Sequence, residues 1–336
     1  MTSDVGTRRP TIREVARLAG VSHETVARYL RADTRIKEAS RERIGAAIAE
    51  LGYRPNLVAR AMRNRRTGRL ALLLPAGVAI SSLEMLAGAT DAAGAAGYVV
   101  EVVTLGGPAG VRSERVLELA DSGLFEGIVS LTPLPAGLLG AGATRTPVLV
   151  APHYDEHMRG IGALADASCV ADLVEQLAEQ GHTTFLHVSG DYAHTSARNR
   201  RQVYLDTIAR LGLRSYAVVD CDWDWRRAWR AVLDLPADCG VTAVVGANDK
   251  VAAGAVRGAL ERGWRVPQDL SVTGWDDNPL GAVMPPSITT VAVDHGRLGR
   301  AAVSDLLALL REEAPAADER PITRIIWRES TGPAPR

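Results

Sequence analysis

The chain holds 336 residues, 46% of them hydrophobic and 23% charged, with 39 basic and 39 acidic side chains. Its length predicts a small module joined to a larger core, and its composition excludes a disordered chain and a membrane-embedded one. Cys169, Cys221 and Cys239 are odd in number and lack metal-ligand spacing, which predicts buried reduced thiols rather than disulfides or zinc.

The zero net charge hides an asymmetry, because through Arg69 there are 16 Lys and Arg against 7 Asp and Glu, leaving 23 against 32. A basic head on an acidic body is the pattern of a nucleic-acid-binding module, although a solvated basic face gives the same count. Met1 to Pro10 has no apolar h-region, and no apolar run reaches bilayer-spanning length, so a short disordered tail over residues 1–10 and a cytoplasmic protein without membrane contact are expected.

From Thr11 the order of elements becomes legible. Thr11-Ile12-Arg13-Glu14 is a capping box, and Ile12, Val15, Ala16 and Ala19 follow at helical spacing until Gly20 stops the helix. Ser22 can cap a second helix running to about Leu30, with Val26 and Leu30 inward. Two helices across so short a turn form a helix-turn-helix, whose second helix presents its first residues to base edges in the major groove. Those residues are His23, Glu24 and Arg28. Arg28 can fork onto guanine and Glu24 can accept from cytosine, each good pair giving roughly 1–3 kcal/mol of discrimination, while plain surface decoration is the competing reading. A third helix from about Ser40 to Leu51, ended by Gly52, closes the small core.

The run from Thr11 to Arg28, followed by Gly52-Tyr53-Arg54-Pro55-Asn56, closely resembles the lactose-repressor (LacI/GalR) family of bacterial regulators. The resemblance implies a DNA-binding domain over residues 11–55 and a hinge helix and linker over 56–68. In that hinge Asn56 opens the helix, Val58 and Ala59 pack on a dimer mate in the minor groove, and Met62 stands where relatives place a wedging leucine. A helix this short is unstable alone and is expected to form only with DNA and partner in place. Ala27 and Arg31 replace a common serine and asparagine, altering the phosphate contacts expected there.

Beyond Arg69, apolar runs alternate with helical segments: Leu70–Leu74, a helix from about Ser82, Tyr98–Val103, a helix from about Arg112, and Gly127–Leu131. Further strands are expected at Val148–Val150, Phe185–Val188, Ala243–Val245, Ser271–Thr273 and Thr290–Val293, too many for one ordinary parallel sheet. The expected fold is therefore an all-α helix-turn-helix head plus an α/β effector domain (69–336) of two Rossmann-like lobes. The resemblance adds that this body is periplasmic-binding-protein-like and serves dimerisation.

Ligands of such sheets bind beyond the carboxyl ends of the strands, a filter passed by Ser189–Arg200, Asn248-Asp249 and Asp276-Asp277. The resemblance aligns Arg200, Asn248 and Asp276 with effector contacts, and Arg198 lies in the same arginine segment. Arginine, amide and carboxylate bracket vicinal hydroxyls, and Trp223, in an Asp222-Trp223 pair like that of the lactose-repressor branch, is the candidate ring over a sugar face. Competing readings make Asn248 or Asp249 a helix cap, Asp276 to Pro279 a turn, and Trp223 core. Val203 departs from the glycine usual in the family, and Val293 and His295 from the lactose branch, so a differently shaped pocket is expected; His295 lines the cleft or is plain hydrogen-bonded structure. His153, His157, His182 and His187 lack paired spacing, so neither metal nor cofactor is expected.

The reading is a transcriptional repressor of carbohydrate-utilisation genes, working as a homodimer on an inverted-repeat operator and released by a sugar effector, a galactoside or other glycoside. A regulator with a non-sugar effector or a corepressor is the alternative. A sugar-binding protein of a transporter shares the body but leaves the head unexplained. An enzyme would need a phosphate-binding glycine loop, a nucleophile elbow or a metal cluster, none of which the sequence carries. The end near Ile325 to Thr331 has no leucine heptads, so a dimer rather than a tetramer is expected, cytoplasmic and nucleoid-associated when bound to DNA.

Overall fold

The computed structural model describes residues 10–30, 33, 35–53, 66–75, 82–135, 137–139, 144–157, 159–316 and 320–336. They fall into two compact units that divide between Thr67 and Gly68. Asn56, Val58, Ala59 and Met62, together with Arg31 and the first nine residues, lie outside the described residues.

In the first unit, α1 (Ile12–Ala19) starts at the capping box, where the Thr11 amide donates to Glu14 Oε2 at 2.6 Å and the Glu14 amide to Thr11 Oγ1 at 3.4 Å. Gly20, at φ 62°, takes the left-handed turn that ends it, and Ser22 caps α2 (His23–Tyr29) by accepting from the Thr25 amide at 3.1 Å. The third helix, α3 (Glu38–Leu51), begins two residues before the sequence suggests, because Lys37 supplies the extended N-cap backbone without a side-chain bond. Val15, Ala16, Ala19, Val26, Ile44 and Ala47 bury against one another as the core of this unit.

The second unit is two α/β lobes. The first carries a parallel sheet in the order β2 (Val99–Leu105), β1 (Arg69–Pro75), β3 (Gly127–Ser130), β4 (Val148–Val150). Its helices are α4 (Ser82–Ala95), α5 (Ala109–Asp121) and α11 (His295–Leu310). Helices α4 and α11 cross with backbones touching: a Cβ on Gly299 would stand 1.9 Å from the Met85 carbonyl oxygen, so only glycine fits. The second lobe orders β6 (Arg214–Asp220), β5 (Thr184–Ser189), β7 (Ala243–Gly246) and β8 (Ser271–Thr273), again all parallel. It carries α6 (Ser168–Glu179), α7 (Thr195–Arg210), α8 (Trp225–Leu233) and α9 (Asp249–Glu261), and a short α10 (Pro279–Val283) follows β8. Apolar clusters cover both faces of each sheet, which is why β3, β5 and β7 are buried along their whole length.

Three features depart from the expectation of repeated βαβ units. The strand β9 (Thr290–Val293) is not a member of a four-stranded sheet but pairs antiparallel with β10 (Thr323–Ile326), a strand the apolar pattern does not announce. These two strands carry the chain between the lobes, with α11 of the first lobe lying between them in sequence. The third departure is from the apolar pattern alone: β6, an edge strand parallel to β5, starts with exposed Arg214 and half-buried Ser215 and Tyr216 rather than a run of large apolar residues.

Candidate functional site

Among the described residues, five non-glycine positions have positive φ, and four of them cluster at the carboxyl ends of two strands of the second lobe: Asp222 (50°) and Trp223 (54°) after β6, Asp276 (99°) and Asp277 (51°) after β8. Left-handed backbone costs about 1–2 kcal/mol at a non-glycine residue and persists only where surrounding structure enforces it, commonly at binding sites. The same sheet edge receives Arg200 from α7 and Asn248 from the turn into α9.

Arg200 is the centre of the arrangement. It is 6% exposed, donates from Nη1 to the Ala247 carbonyl at 2.5 Å, and lays its guanidinium carbon 4.0 Å from the centroid of the Trp275 ring. Burial pulls its pKa down to about 10, against the opposing pull of the Asp276 and Asp249 carboxylates. Its buried Nε has no hydrogen-bond partner. Asp276 keeps an open face on the cleft although protein surrounds it densely, so burial raises its carboxyl while the Arg200 charge draws it back. A cation stacked on a ring beside a half-desolvated carboxylate offers a donor and an acceptor of the kind that polar ligands bind.

Asn248 performs the capping role, its side chain accepting from the Val251 amide at 3.0 Å, which leaves its Nδ2 without a protein hydrogen bond among the described residues. Trp223 is half-buried: its ring packs on Gly190, where a Cβ would come within 2.2 Å of Cη2, and its Nε1 donates to His194 Nδ1 at 3.3 Å. Arg198 is not brought into this group. Two positions from Arg200 on the same helix, it points to the exposed side and donates to the Tyr192 carbonyl and to Thr195 Oγ1.

Two residues to which the sequence assigned no effector contact stand beside the site. Asp249 accepts from the Asn278 amide and from Thr290 Oγ1, both at 2.6 Å, and its own amide donates to the Trp275 carbonyl, so it clamps the loop that carries Asp276. Gly274 has no side chain for this reason, since a Cβ there would meet Asp249 Oδ1 at 2.2 Å. Burial pushes the Asp249 carboxyl up to about 6 despite those two donors. His187 lies fully buried on β5, stacked on Tyr204 with centroids 5.0 Å apart, and its Nδ1 donates to the Val245 carbonyl at 2.8 Å. Burial holds its pKa down at about 4, with the Arg200 and Arg201 charges adding to the effect, and its Nε2 has no partner. His295, at the start of α11, is part-buried with Nδ1 unpartnered, and burial lowers its pKa as well. Position after a strand end signals Asp249; nothing local distinguishes His187 from a structural histidine.

A hollow of about 400 Å³ runs from Asp276 and Asp277 past Val293 and Asp294 to Glu84 of the first lobe. Its volume is that of a small-ligand cleft. Another, of about 330 Å³, lies by Val241, Thr242 and Asp269, at the amino ends of β7 and β8 and so at the opposite edge of the sheet. Among the described residues no three His, Cys, Asp or Glu side chains gather as a metal site, and no helix is long and apolar enough to cross a membrane.

In the helical head, His23 and Glu24 stand exposed on the first turn of α2. Arg28 is tied down: its Nε donates to Asp33 Oδ2 at 2.9 Å, and Asp33 also accepts from Arg35 while its carbonyl accepts from Arg41. The Arg35 and Arg28 guanidinium groups hold the Asp33 carboxyl well below the usual carboxylate range.

Residues 11–56 match the bacterial regulatory proteins of the lacI family, and residues 174–331 match the periplasmic binding protein-like domain. A ribose operon repressor of Halalkalibacterium halodurans is 30% identical over 331 residues, spanning 96% of this chain and 97% of the relative. The chain belongs to the LacI family. Another relative, the lactose operon repressor of Escherichia coli, is 29% identical over 333 residues, covering 96% of this chain and 90% of its own length. Among solved structures, a lac repressor dimer bound to operator and the anti-inducer ONPF matches with a TM-score of 0.69 and 25% identity, covering 96% of this chain and 99% of that one. As a LacI-family member with a helix-turn-helix head and a two-lobed parallel-sheet body, the protein is a transcriptional regulator.

Proposed function

We propose that this regulator is a repressor of carbohydrate-utilisation genes, released from its operator when a sugar binds between the lobes. The observation that carries the sugar reading is Arg200: a buried guanidinium stacked on Trp275, with an unpartnered Nε and the Asp276 carboxylate nearby, at the carboxyl edge of a doubly wound sheet. Arg200 and Asp276 bracket vicinal hydroxyls, Asn248 Nδ2 donates to a third, and Trp223 covers the apolar face of the ring. Relatives named as lactose and ribose operon repressors support a sugar class without choosing one.

On the DNA side, His23, Glu24 and Arg28 read base edges in the major groove, Arg28 exchanging its Asp33 partner for guanine O6 and N7. Asn56, Val58, Ala59 and Met62 form the hinge that two protomers insert into the minor groove of an inverted repeat. The working form is a homodimer whose half-sites lie about one helical turn apart. Effector and operator then oppose each other through one coupling free energy, so each must weaken the other equally.

The deciding experiment is calorimetric titration with galactosides, glucosides, free sugars and purines, repeated on Arg200→Ala, beside fluorescence anisotropy on duplexes selected from a random library. One glycoside that binds, loses its site in Arg200→Ala and lowers operator affinity establishes the reading. Binding by a purine alone would replace the sugar with a non-sugar effector.

A further inference from the structure

The Trp223 ring occupies a position that its own backbone does not favour. Asp222 and Trp223 are consecutive left-handed residues, so neighbours must hold them. On one side stands Gly190, too close for any Cβ. On the other, the His194 ring meets the indole edge at 89° with centroids 5.5 Å apart, and the indole N–H, which can only donate, points at His194 Nδ1. His194 Nδ1 therefore accepts from the indole, with Asp191 Oδ2 3.4 Å from the same nitrogen.

His194 is in turn placed by a turn with unusual ties. The Ala193 amide donates to Asp191 Oδ1 at 2.7 Å and the His194 amide to the Asp191 carbonyl at 3.0 Å, so residues 191–194 form one hydrogen-bonded turn. The carbonyl of Ala193 accepts from Arg159 Nη1 at 2.9 Å. Arg159 belongs to the other lobe: Tyr154 is buried in the first lobe's core and bridges Gly160, and Glu156 accepts from Arg112 of α5 at 2.8 Å. Within that turn Arg159 is aimed by Asp155, which accepts from its Nε at 2.8 Å, and by His157 Nδ1, 3.1 Å from its Nη2. Three different nitrogens of one planar guanidinium are engaged, a geometry that lysine cannot copy.

We propose that Arg159 and His194 are positioning residues for the Trp223 indole: Arg159 fastens the first lobe to the Ala193 carbonyl, and His194 accepts the indole N–H. The ring over the effector is then set by a contact that spans both lobes, so lobe movement and ring orientation are one event. Its meaning for effector binding rests on the reading that Trp223 faces the effector; the contact itself does not.

The test is the indole N–H resonance of Trp223 in the full-length, ¹⁵N-tryptophan-labelled protein, assigned among the six tryptophans by Trp223→Phe. His194→Ala and Arg159→Ala are each expected to move this resonance upfield and leave the others in place, while His194→Gln, which keeps an acceptor, restores it. An unmoved Trp223 resonance in both alanine variants, or six resonances moving together, overturns the proposal. Methyl β-D-galactopyranoside serves as the ligand probe: if the wild type binds it, Arg159→Ala weakens binding several-fold, and equal affinity overturns the effector role. A wild type that binds no glycoside sinks the sugar reading alone, and the indole resonance still decides whether Arg159 and His194 position the Trp223 ring.

Discussion

Arg28 in the helical head and Arg200 in the second lobe carry the same guanidinium into opposite surroundings. Arg28 leaves 36% of its side chain open and pairs with Asp33, whereas Arg200 is 6% exposed, lies on Trp275 and has lost enough solvent for its pKa to fall to about 10. Under the proposed function Arg28 meets DNA and can stay hydrated and loosely paired, because the duplex completes its desolvation on contact. Arg200, proposed to recognise a small neutral molecule, has few contacts to gain there and is desolvated and aimed in advance. The difference teaches that the two sites respond to different perturbations: the head to salt and single charges, the lobe site to packing and pH.

The sharpest way to break the comparison is Arg200→Ala. It is expected to abolish glycoside binding in calorimetry, and to lower the unfolding free energy by about 3 kcal/mol because Asp276 and Asp249 lose a buried counter-charge. Operator affinity measured by anisotropy without sugar should not change, and a loss there would show that the two sites are not separable.

The next effect is a pH dependence with two opposing parts. The His187 pKa falls from 6.5 to about 4 on folding, so the unfolded chain binds the extra proton and its stabilising share is lost as pH drops from 6.5 toward 4. Asp249 rises from 3.8 to about 6, so the folded state holds the extra proton and its share is lost as pH climbs from 4 to 6. Each is of order 3 kcal/mol at full extent. In urea melts, Asp249→Asn is therefore expected to gain on the wild type between pH 4 and 6, and His187→Phe to gain between 6.5 and 4. Curves that stay parallel to the wild type would mean the groups are not buried as described.

In the head the changes are smaller. Arg28→Ala is expected to remove roughly 1–3 kcal/mol of operator discrimination in anisotropy, with glycoside affinity untouched. Asp33→Ala should raise operator affinity slightly, because it frees Arg28 from a partly exposed pair, and the gain should shrink at high salt. A loss of affinity would show that Asp33 orients Arg28 rather than competing for it.

Much of the head was legible from local chemistry. A Thr-x-x-Glu box, a left-handed glycine and a capping serine act within four residues, so spacing alone announces α1 and α2. Strand ends in the second lobe were legible for a related reason: Asn248 and Asp276 follow apolar runs that stop abruptly. Trp223 was legible through its Asp-Trp pair, but its strained backbone and its Gly190 and His194 neighbours were not. Arg198 and Arg200 look alike in the sequence, and helical rotation alone sends one outward and the other under Trp275.

By itself the sequence determined the modules, the caps and turns of the head, most of the parallel strands and the polar residues at their carboxyl ends, because each depends on contacts a few residues apart. Tertiary structure decided the antiparallel β9 and β10 crossing, the Asp249 clamp on Asn278 and Thr290, the burial of His187 and Arg200, and the reach of Arg159 to Ala193. Those are meetings between residues far apart in the chain, and desolvation, which sets the charge state of each, exists only once the chain has folded around them.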